Sequence, residues 1–215
     1  MKIGIVSDVH GEVAALELAL GHIHRMDCDM VLCAGDLVCF EPFGDWVIQV
    51  LKAEKVICIS GDREHRTPDG DPPESCEDGT ELSRQSLAWV AALPVRWSAV
   101  LEGVRVAMWQ DAGGVDVEAA TAAMRRRLLA EAGTDVLVVG GAQGPFDLAA
   151  GAARGKIVSP GPCRARLSPA VYRCHTFGVL ELPSTQFTVF RALDGEQVRD
   201  LAGDGIRLKG RKGER

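Results

Sequence analysis

The side chains best able to do chemistry in this chain stand just after five short apolar runs. Lys2–Val6 runs into Asp8-Val9-His10, Met30–Ala34 into Gly35-Asp36, and Lys55–Ile59 into Gly61-Asp62-Arg63-Glu64. Val104–Met108 runs into Trp109-Gln110-Asp111, and Asp135–Val139 into Gly140-Gly141-Ala142-Gln143. If these runs are strands of open α/β sheets, their carboxyl ends share one edge, where such sheets collect ligands. Carboxylates gathered there repel, and burying them together is costly unless a cation or a guanidinium compensates. A divalent metal ion is the simplest compensator.

The elements that must position these residues are legible in the apolar pattern. The five runs are short, nearly continuous and closed by turn residues, as expected of buried strands. Between them lie helical patterns: Val13, Leu16, Leu20 and Ile23 fall on one face, as do Val47, Val50 and Leu51 after the Pro42 turn. A further helix is expected from about Leu82 to Leu93, stopped by Pro94, and another from about Asp116 to Ala132, closed by Gly133. Alternating strand and helix implies a layered α/β domain with largely buried sheets. From about Gly155 the pattern changes to short strands, with Ala170–Leu182 and Gln186–Leu193 as antiparallel partners. Residues 63–79, rich in Pro, Asp and Gly, read as a surface loop.

Composition narrows the function classes. The chain has 215 residues, 47% hydrophobic and 25% charged, which suits one globular domain and excludes disorder or a coiled coil for the whole. No apolar run approaches the roughly 18 residues of a membrane span, and the N-terminus lacks the apolar core of a secretory leader. A net charge of -6 argues against general attraction to nucleic acid or anionic membrane. The seven scattered cysteines contain no C-x-x-C pair and fit reduced thiols, with Cys33, Cys39 and Cys58 as core filler. A cytoplasmic location is expected. The last nine residues, 207–215, form a basic, Gly-rich segment expected to stay solvated.

An ordered series of blocks resembles the calcineurin-like metallophosphoesterases, in particular their small bacterial and archaeal phosphodiesterase branch. SDVHG at 7–11 is similar to the family's D-x-H block, GDLVCFEPFGDWVIQVL at 35–51 to its G-D block, and GDRE at 61–64 to G-N-H-D/E. VRVAMWQ stands where a strand normally ends in His-Gly, GGAQGPF where G-H-T-H normally sits, and SPGP at 159–162 resembles N-P-G-S. The resemblance implies a layered α/β/β/α sandwich, with one domain over residues 1–195 and a polar, basic tail over 196–215. It also implies two metal ions sharing a bridging Asp. Asp8, His10 and Asp36 match the family's ligands, and Asp62 stands at the Asn position. Trp109 stands at the isolated His, and Gly141 and Gln143 at the two G-H-T-H histidines. Arg63 stands at the family's acid-assisting His.

These departures weaken the two metal positions unequally. Indole has no lone pair for a metal and Gly has no side chain, so the second position loses both imidazoles. The first keeps Asp8, His10 and Asp36, and the amide of Gln143 is either its fourth ligand, favouring Mn²⁺, Mg²⁺ or Ca²⁺ over Zn²⁺, or an exposed loop amide. Arg63 either steadies a phosphate or pairs with Glu64 or Asp62. Trp109 is expected to plug the second position with apolar bulk. Three readings follow. The leading one is a degenerate member with little or no hydrolysis, binding one divalent ion or none and acting through a protein partner or a phosphorylated small molecule. The second is an active metal-dependent phosphoesterase with a rebuilt oxygen-rich centre: one ion in the surviving position and another on Asp36, Asp62, Glu64 or Asp111. The third is a sensor that holds an anion through Arg63 and backbone N–H groups. Homodimers are common among small members of the resembled family, but no apolar stripe here marks an interface.

Overall fold

The computed structural model describes residues 1–38, 43–61, 64, 82–151, 155–164, 166–168, 171–173 and 175–198. Its elements run in chain order β1 Lys2–Val6, α1 Val13–Arg25, β2 Met30–Cys33, α2 Gly44–Ala53, β3 Ile57–Cys58, α3 Arg84–Ala91, β4 Arg96–Leu101 and β5 Val104–Trp109. There follow α4 Ala122–Ala132, β6 Val136–Val139, β7 Phe146–Ala149, β8 Lys156–Ser159, β9 Arg166–Ser168, β10 Val171–Arg173, β11 Thr176–Glu181 and β12 Gln186–Arg191. Two five-stranded mixed sheets result, ordered β12-β11-β1-β2-β3 and β4-β5-β6-β8-β7, with a separate β9-β10 ribbon.

Strand parity sorts the core into three apolar layers. In β1, Val6 faces α1 and α2, while Ile3 and Ile5 face the second sheet. In β5, Val106 and Met108 point between the sheets, and Ala107 and Trp109 point outward to the layer under α4. The expected α/β/β/α sandwich is therefore present. Each large aliphatic side chain fully withdrawn from water in such a layer contributes about 1.5–3 kcal/mol. Helix α1 lies so close to β1 that a Cβ on Gly4 would stand 2.5 Å from Ile23 Cγ2, so the contact requires glycine.

The expected elements differ from the observed ones mainly at their ends. Helix α4 begins at Ala122 rather than near Asp116, because Asp116 accepts a hydrogen bond from Ala119 N at 3.1 Å and closes a turn. Thr121 then caps the helix, its Oγ1 accepting from Met124 N, and Gly133 ends it at φ 62°. The long strand expected from Ala170 is two strands, β10 and β11, and β11 pairs antiparallel with β12 as expected. Strands β4, β7, β8 and β9 lie outside the five expected runs. In β4 only alternate residues are half-buried, which leaves no continuous apolar signal. After β12 the chain turns back, with Val198 N donating to Val189 O at 2.8 Å. The basic segment 207–215 lies outside the described residues.

Candidate metal centre

Two loops at the carboxyl ends of β1 and β2 build the heart of the site. Asp8 N donates to Gly35 O, His10 N to Asp36 O and Gly11 N to Leu37 O, each at 3.0 Å, so the loops run side by side. Asp8, His10 and Asp36 all adopt left-handed backbone, with φ of 52°, 49° and 54°. Such a conformation costs a non-glycine residue on the order of 1 kcal/mol or more, and the three interloop hydrogen bonds hold it in place. Strain of this kind collects where side chains must be aimed.

These three side chains converge. A ligand atom of Asp8, one of His10 and one of Asp36 lie within 4.8 Å of one another, and all three residues are buried. His10 Nε2 is 3.8 Å from Asp8 Oδ1 and 3.7 Å from Asp36 Oδ2. These separations exceed a good hydrogen bond, yet all three atoms can reach a common ion. The other oxygen of Asp8 is already used: Oδ2 accepts from Ser7 Oγ in a short contact and from Gly141 N at 3.0 Å. Oδ1 is thereby turned toward His10. Two buried carboxylates beside one imidazole form a donor set with excess negative charge, which a divalent cation fits.

Beneath Asp36 lies a second carboxylate with a different task. Glu64 accepts four backbone hydrogen bonds, from Asp36 N at 3.0 Å, Leu37 N at 2.7 Å, Val38 N at 3.1 Å and Gly61 N at 2.7 Å. It shapes the Asp36 loop rather than facing the cation position, so it is not free to join a rebuilt ligand set. Burial pushes its carboxyl up to about 7 and the Asp36 charge adds to the rise, against the lowering by its N–H donors. Gly61 is needed there because a Cβ would stand 2.3 Å from Asp36 Oδ1.

The opposite side of the site is built differently. Trp109 does not plug a metal position. It is 5% exposed and packs with Ala112, Val117 and Leu128 in the layer under α4, with the Arg96 guanidinium 4.0 Å from its ring centroid. One residue later, strand parity turns Gln110 inward. Gln110 is 7% exposed, and its side chain occupies the space a Cβ would need at Gly35 and Gly141. Trp109 stands at the family's isolated His in sequence, but the in-out alternation of Val106, Met108 and Gln110 along β5 puts Gln110 on the inner face.

The remaining expected residues fall into place. Gln143 is exposed on the turn between β6 and β7, and Gly141 contributes its N–H to Asp8 instead of a side chain. Asp111 accepts from Gly113 N and Gly114 N and closes its own exposed turn, away from the cluster. Asp62 and Arg63 lie outside the described residues. His22 stacks on Phe177, His24 pairs with Glu54 at 3.2 Å, and His175 Nδ1 lies 3.5 Å from Glu12. None of these three refills the cluster, which among the described residues is the single group of three or more acidic, His or Cys ligands close enough to share an ion.

The same architecture is found in solved structures. A metallophosphoesterase from Sphaerobacter thermophilus superposes with a TM-score of 0.66 at 18% identity, over 89% of this chain and 88% of that one. The phosphoesterase Yfce from E. coli gives 0.60 at 18% identity, over 93% and 97%. Vps29 from Entamoeba histolytica, complexed with Zn²⁺, gives 0.56 at 15% identity, over 92% and 96%. At such identities the likeness is one of fold. No curated protein matches the chain at a significant level. A family profile described as the calcineurin-like phosphoesterase superfamily domain matches residues 1–181, a span that includes every strand end of the site just described, and the chain therefore belongs to that superfamily.

Proposed function

We propose that the protein binds a single hard divalent cation, Mn²⁺ or Mg²⁺, at Asp8, His10 and Asp36, hydrolyses phosphate esters slowly or not at all, and acts through a protein partner or a phosphorylated small molecule. The observation that carries this reading is the asymmetry of the site. Three ligands converge on one side, whereas the facing positions carry the amide of Gln110 and the bare backbone of Gly141. Asp62 and the Gln143 amide are proposed to complete the oxygen-rich set, and Arg63 to meet a phosphate. A cation bound there supplies Lewis-acid polarisation, but in-line displacement in two-metal centres uses a pair of ions about 3.5–4 Å apart. The four described free thiols, Cys28, Cys33, Cys58 and Cys163, support a reducing compartment such as the cytoplasm. Among the described residues no helix is long and apolar enough to cross a membrane.

Titration of chelator-stripped protein with Mn²⁺ in a calorimeter tests the reading, with a phosphodiester hydrolysis assay on the same samples. One tight ion, lost in Asp36→Ala, with little hydrolysis is expected. Two tight ions with robust hydrolysis would instead establish an active phosphoesterase with a rebuilt centre.

A further inference from the structure

The edges of the two sheets are protected unequally. β3 is two residues long and β7 four. The outer side of β12 is taken by the returning chain, with Arg191 N donating to Glu196 O at 2.9 Å and Val198 N to Val189 O at 2.8 Å. β4 has neither protection. It is six residues long, without proline or bulge, in unbroken register from Arg96 opposite Trp109 to Leu101 opposite Val104. A bare edge of that length is a template for pairing with another chain, and folded proteins otherwise shorten, cover or charge it.

Strand parity fixes which groups this edge offers. In β5, Arg105 O accepts from Asp135 N and Trp109 O from Gly140 N, so the odd-numbered residues turn their peptide groups toward β6. The even-numbered ones, Val104, Val106 and Met108, turn theirs toward Leu101, Ala99 and Trp97. The N–H and C=O groups of Arg96, Ser98 and Val100 therefore point out of the sheet, and no backbone hydrogen bond reaches them among the described residues. Ser98 is exposed, and Val100 is 68% exposed.

We propose that this edge is a homodimer interface: β4 pairs antiparallel with β4 of a second copy about a two-fold axis at Ser98, joining their five-stranded sheets edge to edge. A second copy fits because the strand is complementary to itself in this register. Ser98 faces Ser98 and Arg96 faces Val100, twice by symmetry, so every outward N–H and C=O of both strands is paired. On the inner face the large Trp97 stands opposite the small Ala99, again twice. Charge matches as well. The register sets the Glu102 turn of each copy opposite Pro94 of the other, diagonal to Arg96, so the one charged side chain of the strand meets an exposed acid and like charges are not opposed. Because the pairing is antiparallel, the two Asp8–His10–Asp36 clusters fall at opposite ends of the joined sheet, and the interface does not depend on a bound cation.

The test is sedimentation velocity on the full-length protein at about 1–100 μM, on wild type, Ser98→Pro and Val100→Lys, with thermal melts of each. A second arm treats Ser98→Cys, Val100→Cys and wild type with a thiol-oxidising reagent and reads covalent dimer on a non-reducing gel. Wild type is expected to sediment at twice the chain mass at the upper concentrations and to dissociate on dilution. Ser98→Pro removes only an N–H that points out of the sheet, so it melts close to wild type yet stays monomeric. Val100→Lys sets a lysine opposite Arg96 of the other copy and weakens the dimer by about tenfold or more. Ser98→Cys cross-links, because facing Cα atoms of a hydrogen-bonded pair stand about 5.5 Å apart, within disulfide range. Val100→Cys, offset from its counterpart, cross-links no more than wild type. A wild type that is monomeric at every concentration leaves the edge to a strand of another protein and overturns the proposal. So does a dimer that survives both Ser98→Pro and Val100→Lys, or a cross-link as strong through residue 100 as through residue 98. A Ser98→Pro melt far below wild type shows the edge bonded within its own chain and also overturns it.

Discussion

The two halves of the strand-end edge share a backbone frame but differ in chemistry. On the Asp8 side, left-handed residues, interloop hydrogen bonds and the Glu64 carboxylate aim two acids and a histidine at one point. On the Gly141 side the turns are equally close-packed, with a Cβ on Gly140 standing 2.1 Å from Ala34 O, yet imidazoles do not project from them. The comparison teaches that close-packed loop geometry and ligand-bearing side chains are specified separately along one sheet edge. In this chain packing fixes the backbone of both halves, whereas the acidic and imidazole side chains able to share an ion cluster on one of them.

Five substitutions break or sharpen this contrast. Asp36→Ala removes one of the two carboxylates of the cluster, and Mn²⁺ affinity in a calorimetric titration is expected to fall by more than about a hundredfold, roughly 3 kcal/mol. Trp109→His opens a cavity under α4 and is expected to cost about 3 kcal/mol in denaturant unfolding while gaining no metal event, because residue 109 faces outward. A new Zn²⁺ event in that variant would reverse the assignment of Trp109 and Gln110. Gly61→Ala drives a methyl into Asp36 Oδ1 and is expected to cost about 2–3 kcal/mol and to weaken Mn²⁺ binding, both read on one sample.

Glu64 supplies the pH dependence. Its folded carboxyl, at about 7, lies above the ordinary value of 4.5, so the folded state binds this proton more tightly than the unfolded chain does. The stability it adds is fully present below pH 4.5 and is lost as pH rises through 7. Metal-free protein is therefore expected to melt at lower temperature as pH increases from about 5 to 8, with a flatter slope in Glu64→Gln. Equal slopes in the two proteins would remove Glu64 as the cause. The smallest effect is expected for Arg96→Ala, which loses the contact over the Trp109 ring at about 0.5–1 kcal/mol and leaves cation binding untouched.

What could be read from the chain alone was set by local rules. Apolar runs closed by turn residues located β1, β2, β3, β5 and β6, and the amphipathic faces located α1 and α2. The strand-end census placed Asp8, His10 and Asp36 on one edge, the resemblance of SDVHG and of the Gly35-Asp36 block to family motifs marked them as ligands, and the structure brings the three together. The three converging residues of the candidate site were thus legible in the sequence.

The rest was decided by tertiary structure. Whether Trp109 or Gln110 faces the site depends on a one-residue register in β5, and a strand's side chains change face at every step. Glu64 reads as a candidate ligand in sequence, but the approach of the Asp36 loop surrounds it with four N–H donors and makes it a brace. The sequence by itself determined the fold and the ligand types at the strand ends, since pattern and composition are local. Which carboxylate joins the Asp8–His10–Asp36 cluster, which supports backbone, and which side chain looks inward were decided only when β1, β2, β5 and β6 came together, because those roles depend on neighbours that are remote along the chain.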